Sequence, residues 1–283
     1  MRLRLLSCII LLSAVPALGT DKSALRQLET ADAAKAWSAV GRLSLAGKGF
    51  CTGALISDRL VLTAAHCVYA KNSNETLAPE EIVFSSGYHQ GRAVATRRGQ
   101  RLAVHPDYQI EGPNTAARIS TDIAVIELDN PIPQSQVKPF ERVAKPALRD
   151  RVMVVSYARG RSETPALEKG CQYQETRWDV LFYNCEGDFG ASGSPIFVMT
   201  SWGPKIASII SSGGEFQGRK VSLGPSLGAP LDALLHRLAT TNPKSRFISV
   251  GTASPAKQVS RSISSQLGQT QSKRFSRLPQ ITD

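Results

Sequence analysis

The stretch "GDFGASGSPIF", running from Gly187 to Phe197, sets Ser192 among small residues ahead of a proline and an apolar run. A hydroxyl in such a turn becomes a nucleophile only when a base takes its proton. In "GFCTGALISDRLVLTAAHCV" an apolar strand pattern ends on His66, beside Cys67. A lone histidine is more often structural. This one lies in a stretch whose cysteines, Cys51 and Cys67, can staple adjacent strands. In "TDIAVIEL", Asp122 heads a strongly apolar strand. An aspartate there can simply start the strand, or it can be held buried against a histidine.

The elements that must position these groups read as β structure. From Gly41 the chain shows short apolar runs broken by Gly, Pro, Asn and Asp, among them "FCTGALIS", "LVLTAAH", "EIVFSSG" and "DIAVIELD". A second set includes "RVMVVSYA", "QYQETRW", "VLFYNC", "SPIFVMT" and "KIASIIS". Regular short strands with turn signals between them predict an all-β sandwich or barrel. Prolines at 131, 133, 139 and 146 interrupt the pattern and mark a linker between two β-lobes. A helix follows in "APLDALLHRLAT", with Pro230 at its start and Leu231, Leu234, Leu235 and Leu238 on one face.

The 283 residues suit one large domain with extra segments at the ends, and 42% apolar content is that of a globular chain rather than a disordered one. Residues 1–19 have the form of a cleaved signal peptide: Arg2 and Arg4, an apolar run from Leu5 to Val15, then small residues up to Gly19. The run falls short of the roughly 20 residues a membrane span needs. Residues 20–40 form a charge-rich lead-in or propeptide. Residues 41–240 hold the β-rich domain. Residues 241–283 carry seven Lys and Arg against one acid, Asp283, and are expected to be a disordered basic tail. Loss of Arg2 and Arg4 with the signal lowers the net charge from +11 to +9. A basic surface favours acidic contacts, here a weak one through the tail. No specific nucleic-acid motif accompanies the charge.

Five cysteines become four once Cys8 leaves with the signal. An even number in an exported chain points to two disulfides, secreted or periplasmic in place. Three pairings are open, and the spacing favours Cys51–Cys67 and Cys171–Cys185. Each closes a short loop worth roughly 3 kcal/mol in the chain-entropy picture. No C-x-x-C pair exists, so a zinc site is not expected, and no other cofactor is implied.

Together "TAAHC", "TDIAVIEL" and "GASGSP" resemble the chymotrypsin/trypsin-like serine protease family over roughly residues 40–238. The order His66, Asp122, Ser192 is the family's order. The resemblance implies an all-β fold of two antiparallel six-stranded barrels with a C-terminal helix. It implies a monomeric endopeptidase acting on polypeptides. Ser192 would be the nucleophile, His66 its base, and Asp122 the group that fixes the His66 tautomer. The backbone N–H groups of Gly190 and Ser192 would form the oxyanion hole, each donor worth about 3 kcal/mol in the transition state.

One position departs from the animal digestive enzymes. They carry an aspartate before the nucleophile, paired with a new N-terminal ammonium. Here Ala191 stands there, and no "IVGG"-like start precedes Cys51 at the expected distance. The "GxSGSP" form resembles bacterial secreted relatives, which assemble the hole without that ion pair. Activity without N-terminal activation cleavage is therefore expected. The acid six residues before the nucleophile, Glu186, would line the specificity pocket and favour Arg or Lys. Ser211 and Gly213, in "SIISSGG", would form its wall. Glutamyl-specific relatives carry a histidine in this wall, and none lies between Gly193 and Leu235.

Two other readings compete. An α/β-hydrolase would use Ser192, Asp232 and His236, but Ser194 breaks the G-x-S-x-G elbow and the chain has no βαβ rhythm. A protease-like fold retained for binding, without turnover, keeps every residue named above. Trp37, Trp178 and Trp202 are expected to pack rather than to contact a ligand, and His89 and His236 to lie at the surface.

Overall fold

The structure is a computed structural model that describes residues 24–248, apart from 47–48, 71–72, 144, 186–190, 217 and 243–244. Strand β1 (Ala24–Gln27) and helix α1 (Ala31–Lys35) lead in. A first group follows: β2 (Val40–Leu45), β3 (Phe50–Leu55), β4 (Leu60–Thr63), β5 (Ile82–Ser86), β6 (Ala95–Val104), helix α2 (Ala116–Ser120) and β7 (Ala124–Leu128). The second group is β8 (Arg151–Ala158), β9 (Arg161–Arg177), β10 (Val180–Tyr183), β11 (Pro195–Thr200), β12 (Gly203–Ile209), β13 (Ser212–Phe216) and β14 (Arg219–Pro225). Helix α3 (Gly228–Thr240) and a short β15 (Phe247–Ile248) follow.

In the first sheet β6, β5, β2, β3, β4 and β7 pair in that order, and β7 returns to β6. The ring closes on six strands, as the resemblance implies for the first barrel. Closure encloses Leu43, Leu55, Val61, Phe84, Leu102 and Ile126, which share one face by register and are all essentially inaccessible. Each such side chain contributes about 1.5–3 kcal/mol through burial. The second sheet runs β12-β11-β8-β9-β10-β14-β13, and β1 adds to it by pairing antiparallel with β9, Gln27 opposite Ala166. The path alone has seven strands and the lead-in makes eight, so this is a larger sheet than the second six-stranded barrel that the resemblance implies. The aromatic set Trp37, Phe140 and Phe197 ties the linker to the second sheet, with Phe140 and Phe197 ring centroids 4.6 Å apart. Trp37 therefore packs as expected.

Helix α3 lies where its leucines direct it: Leu231, Leu234 and Leu238 are buried and Leu235 is partly so. Arg101 of β6 receives its C-terminus, donating to the carbonyls of Leu238 at 3.0 Å and Thr241 at 3.2 Å while pairing with Glu127. A cation at a helix C-terminus satisfies free carbonyls and suits the helix dipole. Beyond it Phe247 and Ile248 pair in parallel with Leu102 and Ala103. The chain is thus still docked on the first ring several residues into the segment read as tail, because β6 offers a free ladder edge there. Residues 249–283 lie outside the described residues.

Two tryptophans differ from expectation. Trp178 is 56% exposed and Trp202 is 88% exposed. Each stands at the tip of a two-stranded hairpin, where no neighbouring element can cover it. His89 also differs. It is half-buried, and its Nε2 lies 3.0 Å from the Leu28 carbonyl, which fastens the lead-in to the β5–β6 hairpin.

Candidate active site

His66 sits in a short 3-10 turn, Ala65–Val68, directly after β4. Ala64 and Ala65 are fully buried, and Cys67 is bonded to Cys51 of β3. The small residues and the disulfide fix the turn, so the imidazole leaves the ring at a defined point. Asp122 lies between α2 and β7, with its N–H donated to the Ile119 carbonyl at 3.2 Å. Its carboxylate is buried and accepts from three groups. Oδ1 accepts from the His66 backbone N–H at 2.9 Å, and Oδ2 lies 2.7 Å from His66 Nδ1. The Ser211 hydroxyl donates to Oδ2 at 2.5 Å.

A buried carboxylate is costly unless paired and hydrogen-bonded. Burial pushes the Asp122 acid up, but the His66 charge and the hydrogen bonds from His66 and Ser211 hold it below the usual value. Asp122 is therefore ionised and can only accept. His66 must place its proton on Nδ1, which leaves Nε2 as the lone-pair nitrogen. Burial pulls the imidazole down, the Asp122 charge and hydrogen bond pull it up, and the net is above the ordinary 6.5. Arg118, on α2, works in the opposite direction on the same ring. Its side chain donates to the Gly112 carbonyl at 2.8 Å.

The second sheet brings Ser192 to the same place. Its carbonyl accepts from the Thr52 N–H of β3 at 2.9 Å. The next residue, Gly193, has φ +74°, a region that favours glycine. A Cβ on it would lie 2.2 Å from Thr63 Oγ1, 2.3 Å from the Thr52 carbonyl and 3.1 Å from the Ala64 nitrogen. The turn after Ser192 is thus pressed against the residues that lead into His66. Gly193 N–H also donates to the Ile210 carbonyl at 2.8 Å, one residue before Ser211. Ser192, His66 and Asp122 are so joined through neighbours one or two residues away.

Ala191 is buried in an apolar cluster with Cys171, Tyr183, Cys185 and Ile196. The seat before Ser192 is filled by hydrocarbon and sulfur, and the lead-in is paired to β9. Both disulfides favoured by the spacing are present. Gly190 and Glu186 lie outside the described residues. The residue before Glu186, Cys185, has its carbonyl 3.3 Å from the Ser222 hydroxyl, and Ser222 pairs with Gly213 in the β13–β14 ladder. Gly213 itself has open space around a notional Cβ, with only the Val221 carbonyl at 3.9 Å. Ser211, expected only at the pocket wall, is a third donor to Asp122. A fully buried carboxylate needs more donors than one histidine supplies, and a serine inside "SIIS" is where a search should look.

A family model described as Trypsin matches residues 29–234. The chain belongs to the trypsin family. Among curated relatives, complement C1r-A subcomponent of Mus musculus is 35% identical over 85 residues, 28% of this chain and 12% of that one. Serine protease 23 of Rattus norvegicus is 26% identical over 209 residues, 60% of this chain and 54% of the other. The chain therefore spans about half or less of the length of these trypsin-family relatives. A solved Glu endopeptidase in complex with MPD superposes with a TM-score of 0.63 at 20% identity, over 79% of this chain and 99% of that one. Protease Anisep from Arthrobacter nicotinovorans gives 0.58 at 16% identity, over 72% and 96%. These likenesses are of fold: two β-sheets with a C-terminal helix, the chymotrypsin-like arrangement.

Proposed function

We propose that this trypsin-family chain is an exported serine endopeptidase that hydrolyses peptide bonds through an acyl-enzyme on Ser192. The observation that carries the reading is the Asp122 carboxylate, which receives the His66 N–H, His66 Nδ1 and Ser211 while the turn beyond Ser192 presses on Thr63 and Ala64. His66 Nε2 takes the Ser192 proton as Oγ attacks the substrate carbonyl carbon. Asp122 stabilises the imidazolium that results. The tetrahedral oxyanion is received by the N–H groups of Gly190 and Ser192. His66 then gives its proton to the leaving amine, and water repeats the sequence to free the acid.

Substrates are polypeptides, cleaved after Arg or Lys. Glu186 at the pocket floor supplies the charge, Ser211 and Gly213 the wall. The preference in the name of the solved Glu endopeptidase is not carried over, because no histidine stands in this wall. Residues 1–19 act as the signal, residues 241–283 form a basic extension, and the two disulfides suit an oxidising compartment. No cleavage at an activation site is needed, since Ala191 rests in an apolar seat that asks for no ammonium.

Labelling of the purified mature protein with a fluorophosphonate probe, beside Ser192→Ala, tests this. The wild type alone is expected to label, and a peptide library then reads the Glu186 pocket. Folded wild-type protein that fails to label would leave a binding protein that keeps the protease fold.

A further inference from the structure

The end of the second sheet away from Ser192 carries an unusual surface. The registers fix which turns lie there. Val198 of β11 pairs with Val152 of β8, and Arg151 pairs with Gln172 of β9. The turn before β8, the β9–β10 turn and the β11–β12 turn therefore leave the sheet at one end. Ser192, before β11, lies at the other. At the first end stand Leu148, 68% exposed, together with Trp178 and Trp202. Met199 is exposed beside Trp202 on β11.

These residues are presented rather than left over. Trp178 and Asp179 have φ +51° and +60°, both in the left-handed region, in a two-residue hairpin turn. Asn and Gly fill such a turn at little cost, whereas a bulky aromatic is an outlier there. Burial does not compensate, since the ring is mostly in solvent. The Trp202 tip is also held. Its N–H donates to Thr200 Oγ1 at 3.2 Å, and that hydroxyl donates to the Gly203 carbonyl at 2.8 Å. Arg149 and Arg151 are exposed between the tips. Of the acids close by, Asp150 accepts from the Ala147 N–H at 2.7 Å, and Asp179 shares the Trp178 turn.

We propose that this end of the second sheet docks on an anionic lipid surface. Tryptophan suits the bilayer interface, with an apolar body and a polar N–H, and arginine among such residues meets lipid phosphates. Separate knobs on hairpin tips enter a soft headgroup layer more readily than they mate with a flat, rigid protein face. The net charge, +11 for the full sequence and +9 without Arg2 and Arg4, has the complementary sign. Contact is at the surface: among the described residues no helix is long and apolar enough to cross a membrane.

The test uses the full mature chain, basic extension included, in every arm. It is sedimented with vesicles of phosphatidylcholine alone and of phosphatidylcholine mixed equally with phosphatidylglycerol. Wild type is expected to bind the mixed vesicles with a blue shift of tryptophan emission. Trp178→Ser/Trp202→Ser is expected to bind about tenfold or more weakly, and Arg149→Gln/Arg151→Gln to lose part of the affinity. Near-ultraviolet dichroism and thermal melting confirm that the variants fold. Undiminished binding by the tryptophan variant would assign attachment to the basic extension and overturn the proposal. Wild type that ignores both vesicles overturns it in favour of a protein partner, and equal binding to both compositions overturns the anionic assignment.

Discussion

The two sheets deliver their halves of the site by different physics. The first, a closed ring, presents His66 and Asp122 through hydrogen bonds and charge, with three donors to the buried carboxylate. The second presents Ser192 through the absence of bulk: Gly193 fits where no Cβ can, and Ala191 fills an apolar seat. The first half should therefore fail when a polar group is lost, and the second when a small residue grows or gains charge.

The sharpest break is expected at Asp122→Asn. The amide can no longer dictate an Nδ1–H tautomer, and kcat should fall about 10⁴-fold with the fold intact. With the carboxylate charge gone, only burial and Arg118 act on the ring, so the acid limb of kcat/KM should also move below pH 6.5. A loss of activity without that displacement would mean that Asp122 positions His66 by packing alone. Steady-state kinetics on a fluorogenic peptide from pH 5 to 9 reads both, the range being about that over which histidine titrates.

In the second sheet the matching experiments enlarge the small residues. Gly193→Ala places a Cβ into Thr63 Oγ1 and the Thr52 carbonyl at positive φ. A loss of about 3 kcal/mol in denaturant unfolding is expected, with fluorophosphonate labelling abolished in the fraction that folds. Ala191→Asp sets a carboxylate among Cys171, Tyr183, Cys185 and Ile196 with no cation beside it. It should cost about 2–4 kcal/mol and recover as pH falls, because protonation removes the buried charge. An aspartate tolerated at neutral pH would show that an ammonium does reach this seat.

Ser211→Ala returns to the first mode of failure on a smaller scale. It removes one of three donors to Asp122, a charge-assisted bond worth about 1.5–3 kcal/mol, so kcat/KM should drop roughly tenfold or somewhat more. Asp122 then loses part of what holds its acid down. Its folded value lies below the unfolded one, so it adds stability above the unfolded value that is lost as pH falls through the folded one. In Ser211→Ala that loss should begin at higher pH, a displacement that thermal melting in acid detects.

The same division explains what the sequence disclosed. Groups set by strand ends and local spacing were legible: His66 after an apolar strand, Asp122 before one, the two short disulfide loops, and the leucine face of α3. Contacts between distant segments were not. Nothing local in "ALRQ" shows that β1 pairs with β9, since a short exposed strand lacks alternation. Ser211 read as pocket wall because its hydroxyl finds Asp122, 89 residues away, only once β13 is in place. Trp178 and Trp202 read as packing residues because composition favours burial of large aromatics, while exposure at a hairpin tip is a property of the turn.

The smallest expected effect concerns Arg118, which ties α2 to the Gly112 carbonyl. Its cation lowers the His66 value that Asp122 raises. In Arg118→Gln that opposition is gone, and the imidazole should hold its proton to higher pH. In the proposed mechanism neutral His66 is the base, so the acid limb of kcat/KM should move up by a fraction of a unit, with the plateau above pH 8 unchanged, well past the ordinary histidine range. Stability moves the other way. A folded value raised above 6.5 adds stability below the unfolded value, which is lost as pH rises through the folded one. Arg118→Gln should therefore melt slightly higher than wild type at pH 5–6, roughly where unfolded histidine is protonated, and the difference should fade at alkaline pH. Arg118→Lys, which keeps the charge, serves as the control. A limb that moves down, or moves equally in both variants, would mean that Arg118 acts by holding the Gly112 carbonyl and not through its field on the ring.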